Sequence, residues 1–319
     1  MRIYFAPMEG FTDGVFRRVH RRMFPGVKKY FMPFISPSAS LAFTKREMED
    51  LSPAMNAGVP AVPQVLARHA DYFLGAARML RDMGYPEVNL NLGCPSGTVT
   101  GKGKGAGFLR DTEGLARFLD AVFARSPLPI SVKSRIGMES EEEWPRVLSV
   151  LTRYPFTEWL LHPRTGKEQY RGTPRRSCYR QAASCAPFPV LYNGDLFTAS
   201  DAWDFLLSES CAPGLVLGRG ILTNPALARE ISGGEPLTLP ELAAFHDALL
   251  REYLSIWPES AAVGRMHALL QYFSFSLEFP APLLRAAKRV TALEAYTDGA
   301  AALFAQSALK RPPRFIPPI

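Results

Sequence analysis

Glu87-Val-Asn-Leu-Asn-Leu-Gly-Cys-Pro95 alternates apolar and polar residues and then stops abruptly at glycine, a thiol and proline. Period-two alternation reads as a buried strand, and the Gly-Cys-Pro stop places a cysteine at its tip. Working outward, comparable strand candidates lie at Ile3–Ala6, Tyr30–Phe34, Ala61–Leu66, Ile130–Lys133, Trp159–His162, Val190–Asn193 and Leu215–Leu217. Amphipathic helical stretches separate several of them, at Ala70–Met83, Thr112–Phe123, Glu141–Thr152 and Ser200–Ser208, with Gly and Pro at the joints. Strands alternating with helices imply a parallel sheet. Eight such units ending near residue 230 fit a (β/α)8 TIM barrel, which takes about 250 residues. An open doubly wound sheet, the alternative, would have fewer strands and a different nucleotide site.

The pattern changes after Gly233-Gly234-Glu235-Pro236. Strand signals vanish, and Leu239–Ile256, Ser260–Leu277, Ala281–Leu293 and Tyr296–Leu309 read as helices. The expected organisation is therefore an α/β barrel over residues 1–233, a small all-α C-terminal domain over 237–310, and an extended proline-rich tail over 311–319.

Composition bounds the function. The 319 residues are 47% hydrophobic and 21% charged, as expected of a globular chain. No apolar run reaches the length of a membrane span, and Glu9 and Asp13 interrupt the N-terminal apolar stretch as no signal peptide would. A cytoplasmic monomer without membrane contact is the expectation. The four cysteines, Cys94, Cys178, Cys185 and Cys211, form no zinc spacing and no disulfide scaffold, so no metal is expected. A net charge of +7 permits a polyanionic partner without requiring one.

Chemistry in such a barrel belongs to the C-terminal strand ends. These carry Pro7-Met8-Glu9, Gln64, Asn91 with Cys94, Lys133 with Arg135, His162 with Arg164, Asn193-Gly194-Asp195 and Gly218-Arg219-Gly220. No nucleophile elbow, metal cluster or obvious carboxylate pair for glycoside hydrolysis accompanies them. Glycines at the last two strand ends suit a phosphate held on backbone N–H groups, with Arg219 adding charge. Lys133 needs an anion, supplied either by a ligand or by a neighbouring carboxylate. Gly101-Lys102-Gly103-Lys104-Gly105-Ala106-Gly107 starts too far from its strand to be a dinucleotide fingerprint and reads as a mobile basic lid beside Cys94.

Together these segments resemble the tRNA-dihydrouridine synthase family. Ala6-Pro7-Met8-Glu9-Gly10-Phe-Thr12-Asp13-x-x-Phe16-Arg17 is similar to its opening motif, and Asn91-Leu-Gly93-Cys94-Pro95-Ser-x-x-Val99 to its cysteine signature. Val132-Lys133-Ser-Arg135-Ile-Gly137, His162-Pro-Arg164-Thr165 with Tyr170-Arg-Gly172, Asn193-Gly194-Asp195 and Leu217-Gly218-Arg219-Gly220 follow in the family's order. Two departures, Pro163 in place of a frequent Gly and Thr-Pro-Arg after Gly172 without the usual Trp, fall in the sixth loop.

The resemblance implies a flavoenzyme that uses FMN and NADPH to reduce uridines in tRNA, or in other structured RNA, to 5,6-dihydrouridine, with Cys94 as proton donor to C5. The alternative is an FMN barrel reductase acting on a small pyrimidine or another small molecule. A thiol with a pKa of about 8.5 is mostly protonated near neutral pH and suits an acid. The resemblance further implies that Pro7, Met8, Glu9, Gln64, Lys133 and His162 contact FMN, and that Asn193, Gly194, Asp195, Gly218 and Arg219 serve its phosphate. Asn91, Arg135 and Arg164 would face substrate. A uracil in folded RNA must be flipped out to reach such a site. Lys102, Lys104, Arg285, Lys288 and Arg289, with Lys310, Arg311 and Arg314, are candidate backbone grips, and Arg285, Lys288 and Arg289 are spaced to share one helix face.

Overall fold

The computed structural model describes residues 1–279 and 281–310, so the expected tail at 311–319, with Arg311 and Arg314, lies outside the described residues. The chain divides into two compact units. The first comprises Met1–Glu9, Lys28–Gly194 and Leu206–Val216; the second comprises Gly10–Val27, Asp195–Phe205 and Leu217 onward.

The first unit is built on a closed parallel barrel of eight strands in sequential order. They are β1 (Arg2–Phe5), β2 (Lys29–Ile35), β3 (Ala61–Val65), β4 (Val88–Leu92), β5 (Ile130–Ser134), β6 (Trp159–Leu161), β7 (Val190–Tyr192) and β8 (Gly214–Leu217). Each lies within one residue of its sequence expectation at either end. The barrel interior holds an apolar cluster of Tyr4, Ala6, Phe31, Val62, Leu160, Leu191 and Val216. Lys133 pairs with Leu160 and with Asn91, and Asn89 pairs with Ser131 and Gln64. Residues in register on parallel strands share a face, so β3, β4 and β5 add a polar stripe to an otherwise apolar interior.

The opposite, N-terminal end of the barrel is closed by charge. Lys29 Nζ lies 2.7 Å from Glu87 and 2.8 Å from Glu158, whose other oxygen accepts from Tyr4 Oη at 2.9 Å. Glu158 is 3% exposed, so this pairing is what permits its carboxylate to be there.

The second unit is helical around an aromatic core. Helix Gly14–Met23 starts on Asp13, whose carboxylate accepts the Phe16 N–H. Phe245, on helix Leu239–Leu254, meets the rings of Phe16 and Phe24 at 5.5 and 5.3 Å. Helices Glu259–Phe273, Ala281–Ala287 and Leu293–Ala305 follow. Two sequence expectations need correcting. Strand pairing does not vanish: Leu277–Glu278 and Ala308–Leu309 form a short antiparallel ribbon. The helix begun at Ala281 ends at Ala287, so Lys288 and Arg289 sit in its closing turn and only Arg285 lies within the helix. Among the described residues no helix is long and apolar enough to cross a membrane.

Candidate functional site

Cys94 sits in a turn fixed from three sides. Asn91, the last inward-facing residue of β4, accepts the N–H groups of Gly93 at 3.0 Å and Cys94 at 2.7 Å on its Oδ1, an Asx turn. The Cys94 carbonyl accepts the Ala106 N–H at 3.0 Å. Arg135 Nε donates to the Gly93 carbonyl at 3.0 Å. Part of the stretch read as a lid is packed: Gly105 to Leu109 form a buried 3-10 turn against Cys94, while Gly101 and Lys102 stay exposed. Gly105 is required there, because its φ is +56° and a Cβ would come within 2.7 Å of the Cys94 carbonyl oxygen.

The electrostatics hold the thiol protonated. Burial pushes the Cys94 pKa up, the Glu9 carboxylate adds to it, and a hydrogen bond from the Ser96 backbone, Arg135 and Lys133 oppose it with a net upward result. Cys94 is half-buried, so the group is reachable and still carries its proton at neutral pH. Such a thiol is suited to give a proton rather than to rest as a thiolate nucleophile.

For Lys133 the carboxylate alternative finds no support. Among the described residues no carboxylate lies within ion-pair distance of its ammonium. Burial and then the Arg135 charge lower its pKa to about 7, with Cys94 acting weakly in the other direction. Dense protein surrounds the side chain, yet it keeps partial solvent access, the situation of a lysine on the floor of a cleft. A lysine in that position gains its charge most readily beside an anion.

Gln64, 1% exposed, is bound on both sides of its amide: it accepts from Asn91 Nδ2 at 2.7 Å and donates to Asn89 Oδ1 at 2.7 Å. One N–H and one lone pair remain for a ligand. Pro7 and Met8 are half-buried and Glu9 is exposed at the end of β1.

His162, Arg164 and Arg135 form a second cluster after β5 and β6. Arg164 Nη1 contacts His162 Nε2 at 3.1 Å. A guanidinium can only donate, so Nε2 accepts and the ring proton sits on Nδ1. Arg164 also donates to the carbonyls of Arg171, at 3.0 Å, and Gly172, while Arg135 donates to the Thr165 carbonyl at 2.6 Å. The two guanidiniums are 1% and 2% exposed, so they brace the 165–172 loop from within. Tyr170 lies over Arg135 at 5.6 Å and is 40% exposed, presenting a ring at the rim. Glu168, paired with Arg175 at 2.7 Å, pins the loop further. Its carboxyl is lowered to about 2, chiefly by Arg175.

Asn193 donates to the Val216 carbonyl at 2.7 Å and Gly194 is buried against Pro174 and Tyr192. In the second unit, Arg219 pairs with Asp195 at 2.8 Å and lies over Phe197 at 5.3 Å. Its charge is thus balanced within the chain rather than left for a phosphate, a correction to the reading of Arg219 as added positive charge. Gly220 has no room for a Cβ because the Leu196 carbonyl lies against it.

The basic residues divide by direction. Lys102, Arg285 and Arg289 are exposed. Lys104 donates to Ser36 Oγ at 2.9 Å and Lys288 to Gln271 Oε1 at 2.5 Å, so both are engaged within their own unit. Sequence reasoning missed Asn89, Ser131, Gly105 and the Glu168–Arg175 pair. A polar residue two positions before Asn91 on an inward face was the available signal for Asn89.

Known proteins resemble this chain in sequence and in fold. Residues 4–298 match the sequence profile of the dihydrouridine synthase (Dus) family. A probable tRNA-dihydrouridine synthase from Rickettsia bellii is 27% identical over 283 residues, 86% of each chain. A tRNA-dihydrouridine(16) synthase from Pseudomonas putida is 28% identical over 272 residues, 82% of each chain. Among solved structures, an old yellow enzyme homologue from Zymomonas mobilis superposes with a TM-score of 0.54 at 13% identity, covering 74% of this chain and 90% of that one. Morphinone reductase gives 0.53 at 12%, covering 74% and 86%. At such identities these two speak for the barrel fold alone. The chain belongs to the dihydrouridine synthase family.

Proposed function

We propose that this protein binds FMN at the C-terminal end of its barrel and, with NADPH as reductant, reduces uridine in tRNA to 5,6-dihydrouridine. The observation that carries the reading is the Cys94 thiol, immobilised on a strand tip and kept protonated within electrostatic reach of the unpaired Lys133. When bound, the flavin supplies a hydride to C6 of the uracil. Cys94 then gives its proton to C5, which saturates the C5–C6 double bond and leaves a thiolate that solvent reprotonates. Lys133 would stand at the anionic edge of the ring, and the free N–H of Gln64 would donate to it. His162 would contact the ring, and the backbone at Asn193 and Gly194 would serve the phosphate. Pro7, Met8 and Glu9 would line the ring through their backbone.

A stacked uracil must leave the helix to meet the thiol, which calls for a grip on the RNA backbone. Each unit offers its own candidates for a grip, Lys102 in the first and Arg285 and Arg289 in the second, since these side chains are exposed. Lys104 and Lys288 would contribute less, being engaged with Ser36 and Gln271. The deciding experiment incubates the purified protein with FMN, NADPH and unmodified tRNA, then digests the RNA for nucleoside mass spectrometry. The reading expects a uridine heavier by two hydrogens. Oxidation of NADPH with every uridine intact would overturn it in favour of a small-molecule reductase.

A further inference from the structure

Behind the Cys94 turn, four side chains on three adjacent strands form a continuous hydrogen-bonded chain inside the barrel. Its geometry is directional. Asn91 Oδ1 already accepts two backbone N–H groups, so its amide orientation is set by the main chain. Asn91 Nδ2 therefore donates to Gln64 Oε1 at 2.7 Å, which turns Gln64 Nε2 toward Asn89 Oδ1, also at 2.7 Å. That in turn aims Asn89 Nδ2 at Ser131 Oγ, 2.9 Å away. No amide in the series can flip without setting donor against donor or acceptor against acceptor. Asn89 and Ser131 are wholly buried, at 0% exposure, and neither reaches the rim.

We propose that Asn89 and Ser131 are positioning residues for the proton donor, fixing through Gln64 and Asn91 the turn that carries the Cys94 thiol. Their place in the reaction rests on the function proposed above; their effect on the turn does not. Loss of Asn89 leaves a buried Gln64 N–H without an acceptor, and water or a shifted amide must replace it. The disturbance passes directly to Asn91, whose Oδ1 is the acceptor for both N–H groups of the Gly93-Cys94 turn. Misplacing a reacting group by about an ångström costs up to roughly 100-fold in rate.

The test compares Asn89→Leu, Ser131→Ala and Ser131→Thr with the parent protein. Alkylation of Cys94 by iodoacetamide is followed against pH, with peptide mass mapping to separate it from Cys178, Cys185 and Cys211. A loosened turn is less buried, so Asn89→Leu and Ser131→Ala should alkylate at Cys94 several-fold faster at pH 7.5, while Ser131→Thr, which keeps the hydroxyl, follows the parent. On RNA, the first two should lose kcat about 10- to 100-fold with KM for tRNA retained. Parent-like alkylation profiles in Asn89→Leu and Ser131→Ala, or equal changes in Ser131→Ala and Ser131→Thr, would overturn the proposal. If Asn89→Leu does not fold, the two Ser131 variants decide alone. Should the parent protein make no dihydrouridine, the reaction is wrong, and the alkylation profiles still decide the positioning.

Discussion

The proposed chemistry rests on two residues, and their titration makes it testable. Cys94 suits the proposed role of acid because burial favours the neutral thiol over the thiolate. Lys133 is a cation only below its lowered pKa of about 7. An anionic ligand restores that charge, so affinity for FMN should be level below pH 7 and fall as pH rises above it, measurable by flavin fluorescence. Stability of the ligand-free protein should move oppositely. The unfolded lysine binds its proton up to a higher pH than the folded one, so unfolding free energy rises with pH from about 7 toward the ordinary lysine pKa. Lys133→Met should therefore raise the melting temperature of the ligand-free protein. The same variant should weaken FMN binding by roughly 30-fold or more, from the ~2 kcal/mol lower end for truncating one partner of a buried charge pair. Weaker FMN binding without a stability gain would place a carboxylate beside Lys133 after all.

At the scale of elements, the strand-to-helix loops do the positioning, and they were only partly legible. Asn91 and Cys94 stood out because a strand ended on them. Asn89 looked like one beat of an alternation, and its bonds to Gln64 and Ser131 span 25 and 42 residues. Lys104 reads as a free charge until Ser36, 68 residues away, accepts from it. Helix Gly14–Met23 was obscured by its arginines, of which Arg17 is buried and donates to the Thr12 carbonyl. The break after Ala287 has no Gly or Pro to announce it. The 101–107 segment reads as loose from its glycines, whereas Gly105 is there for close approach to Cys94. Gly105→Ala should cost about 1–2 kcal/mol of stability from the left-handed backbone alone. It should also lower RNA reduction more than it lowers flavin uptake, as measured by single-turnover kinetics beside FMN titration. Equal losses in both would show general disruption. For the sixth loop, the Glu168–Arg175 pair contributes above the ordinary glutamate pKa and is lost only as pH falls toward about 2, so proteolysis of residues 165–175 should not increase between pH 8 and 5.

Across the whole molecule, the barrel separates stability from chemistry by its two ends. The eight strands were legible because their apolar runs recur between helical segments and glycine or proline joints, and the fold follows from that count. The charged closure at the other end was not, since Lys29, Glu87 and Glu158 come from three separate stretches of chain. Lys29→Met removes the ammonium shared by Glu87 and Glu158, leaving Glu158 with Tyr4 and Arg2, and should destabilise by about 3 kcal/mol, near the low end for breaking a buried pair. Chemical denaturation should register that loss, with RNA reduction retained at temperatures where the variant stays folded. The central claim, that Cys94 donates the proton, is tested most directly by single-turnover reduction of tRNA with Cys94→Ala in an enzyme whose FMN has been reduced beforehand. The account predicts dihydrouridine formation slowed by two orders of magnitude or more (roughly the lower end of the 10²–10⁴ range for general acid–base catalysis), with FMN binding intact. Dihydrouridine formed at the parent rate would contradict it.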